Sequence, residues 1–196
     1  MPRLIGAGLI QPLAPDDQAL GGIGNIMADF RHPAYDPEDT YTVPYQWGVT
    51  GIVYNTDTFP DAPNSWSLMF DPEVNPDYPF AIMGDGQVAI GAACGALGKP
   101  YDCDTLDSWR EAARLMIETK SRDNFSGFTD GTPALQQLAR GVTHVGMSYN
   151  GDYLYFKGED PEAFEHLAFA IPDEGAEMWV DSMMIPSGAP HPDLAH

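Results

Sequence analysis

An α/β fold, with helices on both faces of a sheet, is predicted by three observations. Between residues 79 and 171, short apolar runs of strand length alternate with longer runs of helical period. Turn and cap residues mark most junctions between these runs. With 196 residues and a hydrophobic fraction of 43%, the chain can bury one sizeable core or two small ones.

The first 40 residues are broken up by glycine and proline. They suggest only a short helix within Gln18 to Phe30, then turn and loop from His32-Pro33 to Asp39. Tyr41 to Gly48 reads as an aromatic strand, and Val49 to Asn55 as a second extended run. Ser65 to Phe70 fits a short amphipathic helix capped by Asn64 or Ser65. Pro79 to Met83 is a buried strand that leads through Gly84-Asp85-Gly86 into a small-residue helix from Gln87 to about Leu97, stopped by Gly98.

Asp104 or Thr105 caps the next helix, which runs to about Lys120, with Leu106, Trp109, Ala113, Leu115 and Met116 expected on its buried side. Asn124 to Phe128 is a strand. Thr132-Pro133 opens a helix with proline at its first position, ending near Arg140-Gly141. Val142 to Tyr149 is a strand, Asn150-Gly151-Asp152 a turn, and Tyr153 to Phe156 a short segment before a polar loop. Leu167 to Pro172 and Glu177 to Pro186 are extended, and Pro190 to His196 has the look of a first helical turn.

Charge narrows the function classes. Nine Lys and Arg face 29 Asp and Glu, a net charge of −20. Nucleic acid is a poor partner for such a chain, and so is an anionic membrane surface. No apolar run reaches the ~20 residues of a membrane span, so membrane insertion is not expected. No signal peptide opens the chain, which by itself points to the cytoplasm. Cys94 and Cys103 lack metal-ligand spacing. A disulfide between them is open to an exported protein, but two unpaired small residues is the preferred reading.

Dinucleotide, Walker and nucleophile-elbow motifs are absent, and the five histidines are scattered. His144 is expected to pack at the start of a strand. Three junctions join carboxylates to aromatics: Met83-Gly84-Asp85-Gly86, Ser148-Tyr149-Asn150-Gly151-Asp152 and Trp179-Val180-Asp181. Each has a plain structural explanation, since Asp85 and Asp152 suit helix caps and Trp179 suits a core. Period-two alternation, however, puts Trp179 and Asp181 on one strand face, where an indole plane and a carboxylate together suit an alkyl ammonium. Ligands of open α/β sheets bind beyond the carboxyl ends of the strands, and three acids with two aromatics there would favour a polycation.

The chain resembles the periplasmic spermidine/putrescine-binding proteins of ATP-driven importers. The resemblance is carried by Tyr41-Thr42-Val43-Pro44-Tyr45-Gln46-Trp47-Gly48-Val49-Thr50, the Asp85-to-Gly98 helix, Gly146-Met147-Ser148-Tyr149-Asn150-Gly151 and Trp179 to Pro186. It implies a type II periplasmic-binding-protein-like fold, in which two α/β lobes joined by crossing strands close on the ligand. It implies a remnant of the first lobe and the first crossing strand in residues 1–54 and the second lobe in 55–172. The return strand and a truncated first-lobe segment would occupy 173–196. On this reading the chain is an internal fragment without the start of lobe 1 and the C-terminal helices. The implied function is capture of a polyamine ligand in the periplasm for an ABC transporter membrane permease, with no catalysis, no cofactor and no metal.

The resemblance also assigns residues. Asp85 and Asp181 match acids that hold ligand ammonium groups, and Tyr149 and Trp179 match aromatics flanking the methylene chain, with Tyr149 standing where relatives carry Trp. Val88 stands where spermidine binders carry Glu, and Asp152 matches an acid of putrescine binders; both favour putrescine over spermidine. The alternatives are a same-fold binder of another cationic solute, such as an opine or basic amino acid, and a carboxylate metal-dependent α/β enzyme using Asp85, Asp152 and Asp181.

Overall fold

The computed structural model describes residues 1–13 and 23–195. It divides into two compact units, one of Met1–Trp47 with Val180–His196 and the other of Gly48–Trp179.

The second unit is built on the predicted α/β alternation. Its strands are the later part of β1 (Val43–Asn55), β2 (Phe80–Met83), β3 (Phe125–Thr129), β4 (Val145–Tyr149) and β5 (Leu167–Ala170), in the spatial order β3-β2-β4-β1-β5. β2 runs parallel to β3 and β4, whereas β1 runs antiparallel to β4 and β5. β6 (Met178–Met183) pairs with β1 off this path. All four residues of β2 are buried, as a central strand covered on both faces requires.

Ile52 and Val53, successive on β1, belong to different apolar clusters because alternate side chains leave opposite faces of a sheet. The Ile52 cluster includes Trp66, Phe80, Ile82 and Met147 and is covered by α2 (Ser67–Phe70), α3 (Gly86–Ala96) and α4 (Leu106–Lys120). The Val53 cluster gathers Leu135, Leu138, Tyr153 and Phe164, from α5 (Gly131–Ala139), α6 (Asn150–Glu159) and the loop that follows. Helices thus lie on both sheet faces, as expected.

Local details differ from the sequence reading. The two extended runs around Gly48 are one 13-residue strand, β1. The buried face of α4 is Ser108, Ala112, Met116 and Thr119, while Leu106 and Trp109 are 66% and 50% exposed. Small side chains face the glycine- and alanine-rich α3, and close approach there outweighs burial of the larger residues. Asn150-Gly151-Asp152 is the first turn of α6 rather than a loop, because the Asn150 side chain is taken up by a bond from the Val49 N–H, 3.0 Å. Pro133 is the third residue of α5, which already starts at Gly131.

Cys94 and Cys103 form a disulfide, correcting the expectation of two unpaired residues. Gly98 at φ 67° and Cys103 at φ 48° turn the chain after α3, and the two cysteine Cα atoms come to 5.8 Å. Such spacing is set by the turn, which cysteine count alone does not reveal.

The first unit has little regular structure among its described residues. A helical turn, α1 (Pro2–Gly6), opens it, and Ile10 bridges Pro186. Of the helix expected within Gln18 to Phe30, residues 18–22 lie outside the described residues; Ile23–Asn25 and Ala28–Phe30 form 3₁₀ turns. His32 to Asp39 is turn and loop. Its end is tied by Asp36, which is 3% exposed. That carboxylate accepts bonds from the N–H groups of Thr40, Tyr41 and Thr42 and from the Thr42 hydroxyl, at 2.8 to 3.0 Å.

Candidate functional site

Parallel strands β3, β2 and β4 are adjacent, so their carboxyl ends share one edge of the sheet. Each end leads directly into a helix and delivers a carboxylate: Asp130 before α5, Asp85 before α3, and Asp152 in the first turn of α6. Tyr149 is the last residue of β4. Its antiparallel partner on β1 is Thr50, whose N–H donates 3.0 Å to the carbonyl of Glu177, next to β6. Sheet order therefore assembles side chains from four separate parts of the sequence.

Asp85 caps α3 through Oδ1, which accepts from the N–H groups of Gln87 at 2.8 Å and Val88 at 3.1 Å. Asp152 accepts from the Thr132 hydroxyl at 2.8 Å. Trp179 lies over Gly48: a methyl there would come within 2.7 Å of Asn150 Oδ1 and 2.8 Å of the indole. Only a glycine leaves that space. Gly131 plays the same part for Tyr149, whose ring would lie 3.0 Å from an added methyl. The indole N–H of Trp179 is buried without a hydrogen-bond partner among the described residues.

These groups feel one another's charge. Burial raises the Tyr149 hydroxyl above its ordinary pKa of 10.0, and the carboxylates of Asp85, Glu177, Asp130 and Asp152 push it the same way, in that order of effect. Burial, and then Asp85, raises Glu177 above its ordinary 4.5 despite a favourable contact with the Thr50 hydroxyl. Tyr101 is raised by burial and by Glu177 and Asp85, with the Glu177 N–H opposing. Among the described residues, none of these carboxylates pairs with a lysine, arginine or histidine. The edge is a region of unbalanced negative charge walled by aromatic rings, suited to an organic cation.

Of the predicted site residues, Asp85, Tyr149, Asp152 and Trp179 fall in the second unit, at or beside this edge. Asp181 falls in the first unit, where Gln46 Nε2 donates to its Oδ2 at 2.8 Å. Sequence reading passed over Glu177 and Asp130. Asp130-Gly131 repeats the Asp-Gly strand exit of Asp85-Gly86, and that repeat was the available signal. His144 packs near the start of β4, with its ring 5.1 Å from Tyr78 and Nδ1 2.7 Å from the Thr58 hydroxyl. Among the described residues, no three His, Cys, Asp or Glu side chains stand close enough to hold a metal together, and no helix is long and apolar enough to cross a membrane.

An α/β unit with an anionic, aromatic-walled edge at its strand ends is the architecture of a small-solute receptor. The chain belongs to the bacterial extracellular solute-binding proteins, whose family model matches residues 1–196. This is a family of binding proteins for transport, not of enzymes. Among relatives, the chain is 29% identical over 209 residues to a putrescine/agmatine-binding protein of Pseudomonas aeruginosa, covering 100% of this chain and 56% of that one. Among solved structures, it is similar to the Tp0655 (TpPotD) lipoprotein of Treponema pallidum, with 29% identity and a TM-score of 0.81, covering 100% of this chain and 59% of that one. It is also similar to a putative spermidine/putrescine ABC transporter protein of Listeria monocytogenes, with 27% identity and a TM-score of 0.82, covering 100% and 57%. The chain spans about half the length of the curated relatives it matches.

Proposed function

We propose that this chain is the ligand-holding part of a polyamine-binding protein that serves an ATP-driven importer in the periplasm, with a membrane permease as its partner. The observation that carries the reading is the gathering of Asp85, Asp130 and Asp152 with Tyr149 at the ends of three adjacent strands, none of them paired with a basic side chain among the described residues. A diamine supplies the missing positive charge at both ends and offers methylenes to the rings. The names of the relatives, which speak of putrescine, agmatine and spermidine, support the same solute class.

In this proposal Asp85 and Asp181 hold ammonium groups, Tyr149 and Trp179 contact the methylenes, and Asp152 adds a further acid. Residues 55–172 correspond to the second lobe. Putrescine is favoured over spermidine: position 88 is a buried valine rather than an acid, and Asp152 adds its charge beside Tyr149. Calorimetry with putrescine, spermidine and arginine tests the reading. Putrescine is expected to bind most tightly, and Asp181→Asn to cost roughly 2–5 kcal/mol of affinity. Equal binding of all three, or none, would remove it.

A further inference from the structure

A cavity of about 590 Å³ opens beside the first turn of α3 and is lined by Gln87, Tyr101, Asp102, Trp109 and Glu177, among others. Its lining includes Gly86, the residue after Asp85, and Glu177, whose carboxyl feels the charge of Asp85. Its size is within the range of small-ligand pockets and exceeds what one ammonium needs. Two of its side chains are carboxylates, one is an amide and two are aromatic; among the described residues no lysine or arginine lines it. Trp109 remains half-exposed on α4, where a residue of its size would ordinarily turn inward.

The walls are fixed by contacts that leave the cavity free. The Tyr101 hydroxyl donates 3.1 Å to the Val88 carbonyl, and its ring lies against Gly91, where any side chain would collide with it. Cys103, also in the wall, is tethered to α3 through Cys94. Glu177 is held through its carbonyl by Thr50, and among the described residues its half-buried carboxylate has only a 3.5 Å contact, to the Thr50 hydroxyl.

We infer that this cavity receives a guanidinium end group of a linear ligand whose ammonium is held at Asp85, with Glu177 as its carboxylate partner and Trp109 as its stacking surface. A guanidinium is flat, stacks on aromatic faces, gives paired hydrogen bonds to a carboxylate and is weakly hydrated, so a partly desolvated acid in a cavity with aromatic walls suits it better than it suits an ammonium. The inference rests on the polyamine reading above and adds a residue, Glu177, and an end-group preference to it.

The test is calorimetric titration of the chain and of Glu177→Gln and Trp109→Ala with putrescine, agmatine and spermidine, with circular dichroism melts to verify folding. The ratio of agmatine to putrescine affinity is expected to fall at least five-fold in both variants. An unchanged ratio in either folded variant overturns the inference, and an equal fall for spermidine overturns the guanidinium preference. If the unsubstituted chain binds none of the three, the polyamine reading fails and this inference with it. Retained putrescine binding with unchanged ratios defeats this inference alone.

Discussion

The Tyr149 ring meets Trp179 edge-on, with ring centroids 5.5 Å apart and planes inclined at 81°. The two aromatics therefore form a corner. A methylene chain laid in it would take the face of one ring and the edge of the other. Each ring is seated against a glycine from a different element, Gly131 for Tyr149 and Gly48 for Trp179. The corner depends on those two absent side chains.

Gly48→Ala is expected to push the indole out of this corner, since the added methyl would collide with both the ring and Asn150. Overpacking of this kind costs about 1–3 kcal/mol of stability. Putrescine affinity should fall at least ten-fold while the far-ultraviolet dichroism is retained. Calorimetry and a thermal melt of the one variant check both.

Asp85 has two roles that substitution can separate. Asparagine keeps an oxygen for the Gln87 and Val88 N–H groups, so Asp85→Asn should leave stability nearly unchanged. Asp85→Ala should cost about 1 kcal/mol in urea denaturation. Both should weaken putrescine binding by a similar, large factor, because both remove the charge. A normal affinity for Asp85→Asn would leave only the cap.

Glu177 should leave a signature in the pH dependence of stability. Its pKa is raised in the folded state, by burial and then by Asp85, so the folded protein holds this proton more tightly than the unfolded chain. Stability then declines as pH rises through the window above 4.5, and below that value the carboxyl is neutral in both states. Glu177→Gln should therefore stabilise the ligand-free chain at pH 7 and lose that advantage near pH 4. Denaturation midpoints at the two pH values give the comparison.

Reduction of Cys94–Cys103, which are nine positions apart, should lower stability by about 2–3 kcal/mol through the entropy of the opened loop. Urea denaturation with and without dithiothreitol measures it. Cys94→Ser should reproduce the reduced midpoint and be insensitive to the reductant.

Much of the second unit was legible because its signals are local. Asp85, Thr105 and Gly98 mark helix ends by their own chemistry, and the four residues of β2 are apolar because both faces of that strand are covered. The orientation of α4 was not legible. Trp109 and Leu106 outweigh Ser108 and Ala112 in any apolar count, and only the small-residue surface of α3 reverses that order. For the same reason Asp85, Tyr149, Asp152 and Trp179 could be picked out one by one as strand-end residues, whereas Glu177 could not. Its importance comes from the pairing of its carbonyl with Thr50 and from the charge of Asp85, neither of which a linear reading contains.

Asp36 makes the first unit acid-labile. Burial alone would raise its pKa, but the hydrogen bonds from Tyr41, Thr40 and Thr42 prevail and hold it below the ordinary 3.8. The stability it contributes is present above that value and drains away as pH falls through the folded-state pKa. Residues 40–42 have no helical bonding and lean on this one anion for their N–H groups. Acid below pH 3.8 should therefore show first as a loss of amide protection, relative to the intrinsic exchange rate, at these three positions. A single proton on Asp36 removes the charge that all three N–H groups share.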